Sequence, residues 1–382
     1  MLVRVLVSFL RWRALRAQKS QIFIAGVRSL VVIELTRLGD FVNVLPAIRR
    51  FRQKFPGATI HVVVDSPYAP LLNLCEPGIE IIRVTQSASP FRFLMALRVV
   101  RRLAPDLACS MSPANRNAVM ALSSGARFIV GYLNGTDSMT PFLETSPVES
   151  IGVREGPGIV FGRENIEGRA WKVLQSLGIR EQRETANTFG AWMPEEEVVD
   201  RIHERGVVNG APYIVVHPFS RWEYRSWPIA SFGRLAEMIL ENLGHEVVFV
   251  CHASERAMLA PLMNRFRGVP RVRFFPSTDL IETAAVLRGA VAFVGNDSGP
   301  LHLAALLGLP IVGLFGPASP ALAAPVSTQG AFVYRPVACS PCDQIRCIRP
   351  DDPCIALITP DEVFASLQKE VSSRYLRGAA NA

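Results

Sequence analysis

The sequence predicts an α/β protein built from two doubly wound, parallel-sheet domains. Three observations carry that expectation. Residues 30–131 alternate strand-like and helix-like segments, a second series with the same rhythm starts at Tyr213, and short Gly-containing turns join strand to helix in both. Parallel strands linked by helices produce this rhythm. A length of 382 residues exceeds one ordinary domain and suits two.

The elements follow in order. Residues 30–35 form a buried strand, and 41–55 a helix closed by Pro56-Gly57. Strands are expected at 59–64 and 80–84, then a helix at 91–103 with basic residues on one face. A strand at 106–110, a helix at 114–123 and a strand at 127–131 complete the first series. Residues 132–168 are rich in Gly, Pro, Ser and Thr and read as loops; 167–177 read as a helix ended by Gly178. The domains are expected to divide as 1–190 and 191–382, the first carrying a basic and apolar extension at 1–28. The second series has strands at 213–216, 246–251 and 272–275, with helices at 228–242, 255–266 and 280–287. Ser226 or Trp227 is expected to open the first of these helices. A strand over 290–294, a small turn, a helix with Pro300 in its first turn and another strand-and-turn ending at Gly316-Pro317 follow. An amphipathic helix over 360–374 closes the chain.

Composition removes several function classes. Charged residues make up only 19%, which argues against disorder. No run of about 18 apolar residues occurs, so no transmembrane helix is expected. The net charge of +8 is concentrated near the amino terminus: residues 1–56 hold eleven Lys/Arg against Glu34 and Asp40 alone. Anionic lipid, a phosphorylated glycolipid or nucleic acid would suit such a region. A nucleic-acid groove would interleave aromatics with its cations, and this region shows only Trp12 and scattered Phe. No nucleic-acid partner is expected. Residues 2–10 are apolar and are followed by Arg11, Arg13, Arg16 and Lys19, the wrong order for a secretory signal. The segment fits either an interfacial helix on an anionic membrane or a loose chain start.

Three turns carry candidate chemistry. In Thr36-Arg37-Leu38-Gly39-Asp40, Gly39 permits close backbone approach, and Asp40 is either the N-cap of the next helix or a general base. In the stretch from His217 to Pro228, Arg225 is either a phosphate ligand beside the amino end of the following helix or a solvent-facing loop residue. Ser220 lies in the same loop. In Asn296-Asp297-Ser298-Gly299, backbone N–H groups and the Ser298 hydroxyl suit a pyrophosphate, with Asp297 a possible cap. His302, one turn further, faces either ligand or core.

These motifs resemble those of glycosyltransferase family 9, the ADP-heptose:lipopolysaccharide heptosyltransferases. The match runs through Leu38-Gly39-Asp40, then His217-Pro218 with Arg225-Ser226-Trp227-Pro228, then Asp297-Ser298-Gly299-Pro300-Leu301-His302-Leu303-Ala304-Ala305, closed by Val312 to Pro317. It spans roughly residues 30–365. The third element is the specific one.

The resemblance implies a GT-B fold, two Rossmann-like doubly wound domains facing a central cleft. It implies an amino-terminal domain that binds acceptor and a carboxyl-terminal domain that binds nucleotide sugar. Asp40 becomes the candidate catalytic base, and Arg37 is assigned to the acceptor. Ser220, Arg225, Glu255, Asp297, Ser298, Gly299 and His302 are assigned to the donor, Glu255 toward the ribose hydroxyls. Arg225 stands where the family often has Lys, which keeps the charge and changes its hydrogen-bond geometry. The implied activity is inverting transfer of a heptose from ADP-heptose to the inner core of lipopolysaccharide, by a cytoplasmic enzyme that is either free or peripheral on the cytoplasmic face of the inner membrane. No Asp-x-Asp pair occurs in the chain, so catalysis is expected without a metal and without a cofactor.

Three alternatives to heptosyl transfer stand beside this. One is a glycosyltransferase that uses another nucleotide sugar for a surface polysaccharide. Another is a nucleotide-sugar epimerase on the same fold, and a third is a non-catalytic binding module. Cys339, Cys342, Cys347 and Cys354 cluster at spacings that match no paired zinc knuckle. They suit reduced thiols, a disulfide or a metal, and no catalytic role is assigned to them.

Overall fold

A computed structural model describes residues 26–85, 90–112, 114–131, 170, 171, 173–175, 177–179, 192–207, 210–325, 330–342, 344 and 346–380. The interfacial segment expected at 2–19 and the loops expected at 132–168 lie outside the described residues. The chain divides into two compact units, Met1–Arg183 and Glu184–Ala382.

In the first unit, β1 (Ser29–Glu34), α1 (Leu38–Lys54) and β2 (Thr59–Asp65) lead into a 3-10 turn, Ser66–Tyr68. Then come α2 (Ala69–Cys75), β3 (Glu80–Val84), α3 (Pro90–Arg102), β4 (Leu107–Ser110), α4 (Asn115–Ser123) and β5 (Phe128–Gly131). The strands lie in the order β3-β2-β1-β4-β5, and each neighbouring pair is parallel. Leu30 sits between Ile60 and Leu107 in register. Leu30 to Ile33 are fully buried, which is why the central strand reads as an unbroken apolar run. One side of the sheet is packed by Val100 of α3 and by Ala118, Met120 and Ala121 of α4. The winding reverses between β1 and β4, and such a reversal opens a crevice at the carboxyl ends of the strands.

The second unit repeats the plan with one more strand. Its elements are α5 (Glu196–Glu204), β6 (Tyr213–His217), α6 (Ile229–Asn242), β7 (Glu246–His252), α7 (Ala260–Arg265) and β8 (Val272–Ser277). They continue with α8 (Leu280–Gly289), β9 (Ala292–Asn296), α9 (Gly299–Leu306), β10 (Ile311–Phe315), α10 (Pro320–Ala323), β11 (Gly330–Tyr334) and α11 (Pro360–Ala380). The order is β11-β10-β9-β6-β7-β8, parallel throughout, with its reversal between β6 and β9. Ile214, Val216, Val247, Phe249, Val294, Val312 and Leu314 form the core with Phe232 and Leu235 of α6 and Val363 and Leu367 of α11.

Several boundaries move for stated reasons. Helix α1 opens at Leu38 rather than at residue 41, so Arg37 occupies the N-cap position and Asp40 is the third helical residue. Helix α6 opens at Ile229, with Pro228 extended at φ −54°, ψ 134°, so neither Ser226 nor Trp227 starts it. A residue before proline is pushed out of the helical region, and Trp227 is that residue. The helix expected at 255–266 is a 3-10 segment, Ala253–Leu259, followed by α7. His252 and Glu255 form a reciprocal capping box that starts it early. The short α2 and the half-buried strand β11 have no counterpart among the expected elements, since seven and five residues are too few for periodicity to register.

Candidate active site

In the second unit the carboxyl ends of β6 and β9 bring the donor-assigned residues other than Glu255 together. Arg225 ends a 3-10 turn, Glu223–Arg225, four residues before α6 begins. The helix starts later than expected, and the guanidinium pairs with the turn ahead of α9. Its Nη2 lies 3.1 Å from Asp297 Oδ2 in a largely buried ion pair, with side-chain exposures of 19% and 7%. The alignment is imperfect: Arg225 Nε and Asp297 Oδ2 are buried without a hydrogen-bond partner. Ion-pair contact without hydrogen-bond geometry leaves donor capacity unsatisfied, which an incoming anion would fill.

The turn itself divides the labour. The Asp297 N–H donates to the Leu314 carbonyl at 3.1 Å, so this residue offers its carboxylate and not its amide. Ser298 is the N-cap of α9 in extended conformation, and its hydroxyl makes no cap bond. That hydroxyl lies 3.3 Å from His217 Nδ1. Burial pulls the His217 imidazole down to about 4, so the ring is neutral at pH 7. Gly299 opens the helix and Pro300 follows with no N–H, so the helix end presents the Ser298 and Gly299 amides. Ser220 Oγ donates to the Asp297 carbonyl at 3.3 Å. His302 is buried, with Nε2 3.9 Å from Asp297 Oδ1. Glu255 stands apart from this group: its Oε2 accepts the His252 N–H at 2.9 Å within its own turn.

Two residues that organise the turn are absent from the sequence assignment. Asn296 is fully buried; its Oδ1 accepts from the Trp227 N–H at 2.9 Å and its Nδ2 donates to the Pro218 carbonyl at 2.8 Å. It thereby ties β9 to the loop that carries Arg225. Trp227, 1% exposed, also donates through Nε1 to the Ile358 carbonyl at 2.8 Å. The signal for Asn296 was a polar residue ending an apolar strand, which is costly to bury unless paired. Gly295, just before it, admits no side chain, because a Cβ there would meet the His217 carbonyl oxygen at 2.9 Å.

In the first unit the crevice between β1 and β4 holds a carboxylate cluster. Asp40, half-buried in the first turn of α1, is not an N-cap. Arg37, one turn earlier, is exposed. Tyr68 leans over the start of the helix: its ring stacks on Phe41 at 5.6 Å, and its phenol oxygen accepts the Leu38 amide. Burial first, and the charges of Asp65 and Asp40 after it, push that phenol up to about 12, so it stays protonated. Glu34 ends β1 and is fully buried. Its Oε1 accepts from the Thr36 N–H at 3.0 Å and from the Thr36 hydroxyl, and its Oε2 accepts from the Ser112 hydroxyl. Burial, then the charge of Asp40, raise the Glu34 carboxyl to about 7 against the pull of these donors. Asn117 Oδ1 accepts the Leu35 N–H at 3.0 Å, and its Nδ2 is buried without a partner.

The sign of the Glu34 effect is checkable. A carboxyl raised from 4.5 to about 7 on folding contributes its full share below pH 4.5 and loses it as pH rises through 7. Relative to Glu34→Gln, wild type should lose about 3 kcal/mol of stability between pH 4.5 and pH 8. Urea unfolding of both proteins at those two pH values measures it; an unchanged gap between them would mean that Glu34 does not titrate there.

The Cys339–Cys354 stretch lies beside the Gly316-Pro317 turn after β10. The Cys342 N–H donates to the Pro317 carbonyl at 3.0 Å, and Cys354 is buried with Cys342 and Cys339 among its electrostatic neighbours. Among the described residues, no group of three or more His, Cys, Asp or Glu is arranged to hold a metal ion. Among the same residues, no helix is long and apolar enough to cross a membrane.

Comparison with known proteins fits this arrangement. Residues 175–351 match the model of glycosyltransferase family 9 (heptosyltransferase). Lipopolysaccharide heptosyltransferase 1 of Pseudomonas aeruginosa is 24% identical over 330 residues, covering 83% of this chain and 87% of the relative. A glycosyl transferase family 9 structure from Veillonella parvula superposes with a TM-score of 0.70 at 20% identity, covering 91% of this chain and 97% of its own. Escherichia coli heptosyltransferase WaaC, solved with ADP-2-deoxy-2-fluoro heptose, superposes at 0.64 with 15% identity, covering 89% and 99%. The fold is GT-B.

Proposed function

We propose that the chain is a glycosyltransferase of family 9, whose model matches residues 175–351, and that it transfers a heptose from ADP-heptose to the inner core of lipopolysaccharide. One observation carries the donor half of this reading. Arg225 pairs with Asp297, and the Ser298 hydroxyl and the two amides at the start of α9 belong to the residues that follow it, at the carboxyl edge of the second sheet. A cation beside a helix amino terminus suits a diphosphate, which supports this reading. The P. aeruginosa relative acts on lipopolysaccharide by its name, and WaaC was solved with an ADP-heptose analogue. Both support the choice of acceptor and sugar.

In this mechanism the second unit holds the nucleotide sugar and the first holds the acceptor. The Asp40 carboxylate takes the proton from the acceptor hydroxyl as its oxygen attacks the anomeric carbon. The bond from that carbon to the diphosphate breaks on the opposite side, its electron pair leaves with ADP, and the carbon inverts. Charge grows on the leaving phosphate, so Arg225 and the helix amides bind the transition state more strongly than the ground state. Asp297 aims Arg225, and His302 backs Asp297. Glu255 reaches the ribose through the oxygen opposite the one that accepts from His252. Arg37, exposed beside Asp40, meets anionic groups of the acceptor. With no Asp-x-Asp pair in the sequence, transfer should survive a chelator. The same reading puts the enzyme at the cytoplasmic face of the inner membrane.

Sugar transfer from ADP-heptose to purified, heptose-deficient lipopolysaccharide, in chelator, tests all of this at once. Transfer is the expected result. A folded protein that consumes ADP-heptose without acceptor would point to an epimerase or hydrolase, and no turnover would sink the donor or acceptor assignment.

A further inference from the structure

Helix α3 is the part of the first unit that its core does not explain. Its inner face is ordinary: Val100 is buried, and Phe93, Ala96 and Leu97 pack against the sheet-and-helix core. Its outer face is not. Phe91, Leu94, Met95 and Val99 are 68%, 54%, 43% and 45% exposed. At 100° per residue these four project from one side of the helix, with Arg98 and Arg102 among them and Arg92 and Arg101 at the margins. All four arginines are exposed, and the helix PFRFLMALRVVRR contains no acid. Single exposed apolar residues need no explanation, but four on one face of thirteen residues do.

We propose that the outer face of Pro90–Arg102 docks on an anionic lipid bilayer, seating Phe91, Leu94, Met95 and Val99 among the acyl chains and its arginines among the headgroups. Charge decides between occupants. A second copy on this face would oppose four arginines with four arginines. The segment at 1–25 is also basic, with Arg4, Arg11, Arg13, Arg16 and Lys19 and no acid. An anionic lipid surface is complementary to both halves of the pattern, since arginine stems lie along apolar surface while their heads reach phosphates.

The topology gives the docking a use. The sheet is parallel and α3 runs back between β3 and β4, so its first turn lies at the same carboxyl edge as Glu34 and Asp40. A bilayer held at Phe91 is held near the end of the sheet that carries the proposed base. This consequence rests on the proposed lipopolysaccharide acceptor, whose acyl chains sit in a membrane; the docking itself does not.

The test uses the full chain and vesicles without acceptor. Sedimentation with phosphatidylethanolamine–phosphatidylglycerol vesicles should bind wild type and fall off with salt, while pure phosphatidylcholine vesicles bind it weakly. Phe91→Ser/Leu94→Ser/Val99→Ser and Arg98→Glu/Arg102→Glu should each weaken partitioning by about tenfold or more. Both variants should keep the wild-type melting temperature, because exposed positions carry little stability. Undiminished vesicle binding by both would overturn the proposal and assign any membrane affinity to other residues. Self-association of wild type, lost in the same variants by sedimentation velocity, would overturn it in favour of a second copy. Transfer to a deacylated, water-soluble core oligosaccharide separates the two readings. The variants should match wild type there and fall behind on vesicle-embedded acceptor, whereas failure of wild type on both acceptors would count against the proposed function alone.

Discussion

Asp40→Asn lowers kcat for heptose transfer by about 10²- to 10⁴-fold and leaves ADP-heptose affinity unchanged. The amide matches the carboxylate in shape and cannot take a proton. The residue lies in the first turn of α1 as its third member, outside the capping position, so no cap bond is lost. Part of what the fold loses is one favourable charge near a helix amino terminus, about 0.3–1 kcal/mol. It regains part of that at Glu34, whose carboxyl is pushed up in part by the Asp40 charge. Stability should therefore stay near wild type while turnover collapses. Single-turnover transfer, with calorimetric titration of ADP-heptose alongside, separates the two quantities. An Asn variant within about tenfold of wild-type kcat would remove Asp40 from the role of base.

Arg225→Ala is expected to cost roughly 10²- to 10³-fold in kcat and to destabilise the second unit as well. The stability loss has a definite origin. Asp297, 7% exposed, would be left with His302, at 3.9 Å, as its ion-pair neighbour among the described residues. Removing one partner of a fully buried pair costs about 3–5 kcal/mol, and the 19% exposure of Arg225 places this pair below that range. The double variant Arg225→Ala/Asp297→Ala distinguishes structure from catalysis. It should recover much of the stability, because the stranded carboxylate is gone, and none of the activity. Arg225→Lys keeps a charge but gives up the planar fork, so it should fall between wild type and Ala in turnover. If the double variant recovered transfer along with stability, Arg225 would be a structural residue and the leaving-group role would fall to the α9 amides.

Much of this architecture was legible because parallel strands buried on both faces write themselves as apolar runs. β1, β6, β9 and β10 each read that way, and the turns after them carry the small residues that the crevice needs. The partners of those turns were not legible. Sequence adjacency ties Arg225 to α6, whereas its ion-pair partner is an aspartate 72 positions away, which no local pattern announces. Glu34 stood in plain view in the first motif, an acid ending an apolar strand. Its significance depends on Ser112, 78 residues distant, and no spacing rule reaches that far. Asn296 reads in the sequence as part of a phosphate turn, whereas both ends of its amide face inward.

The indole of Trp227 gives the donor half a mechanical character of its own. Its ring N–H reaches the chain just ahead of the last helix, 131 positions away, while the backbone N–H of the same residue holds Asn296 at the end of β9, in a fully enclosed setting. A turn pinned in that way cannot fray by itself; its amides are released only when the sheet and the terminal helix part together. Nucleotide sugar should accordingly register as cooperative stiffening of the whole second unit, with its slowest-exchanging amides slowing further, and not as the ordering of a loop. Trimming the chain ahead of Ile358 would likewise be felt first as lost affinity for the nucleotide.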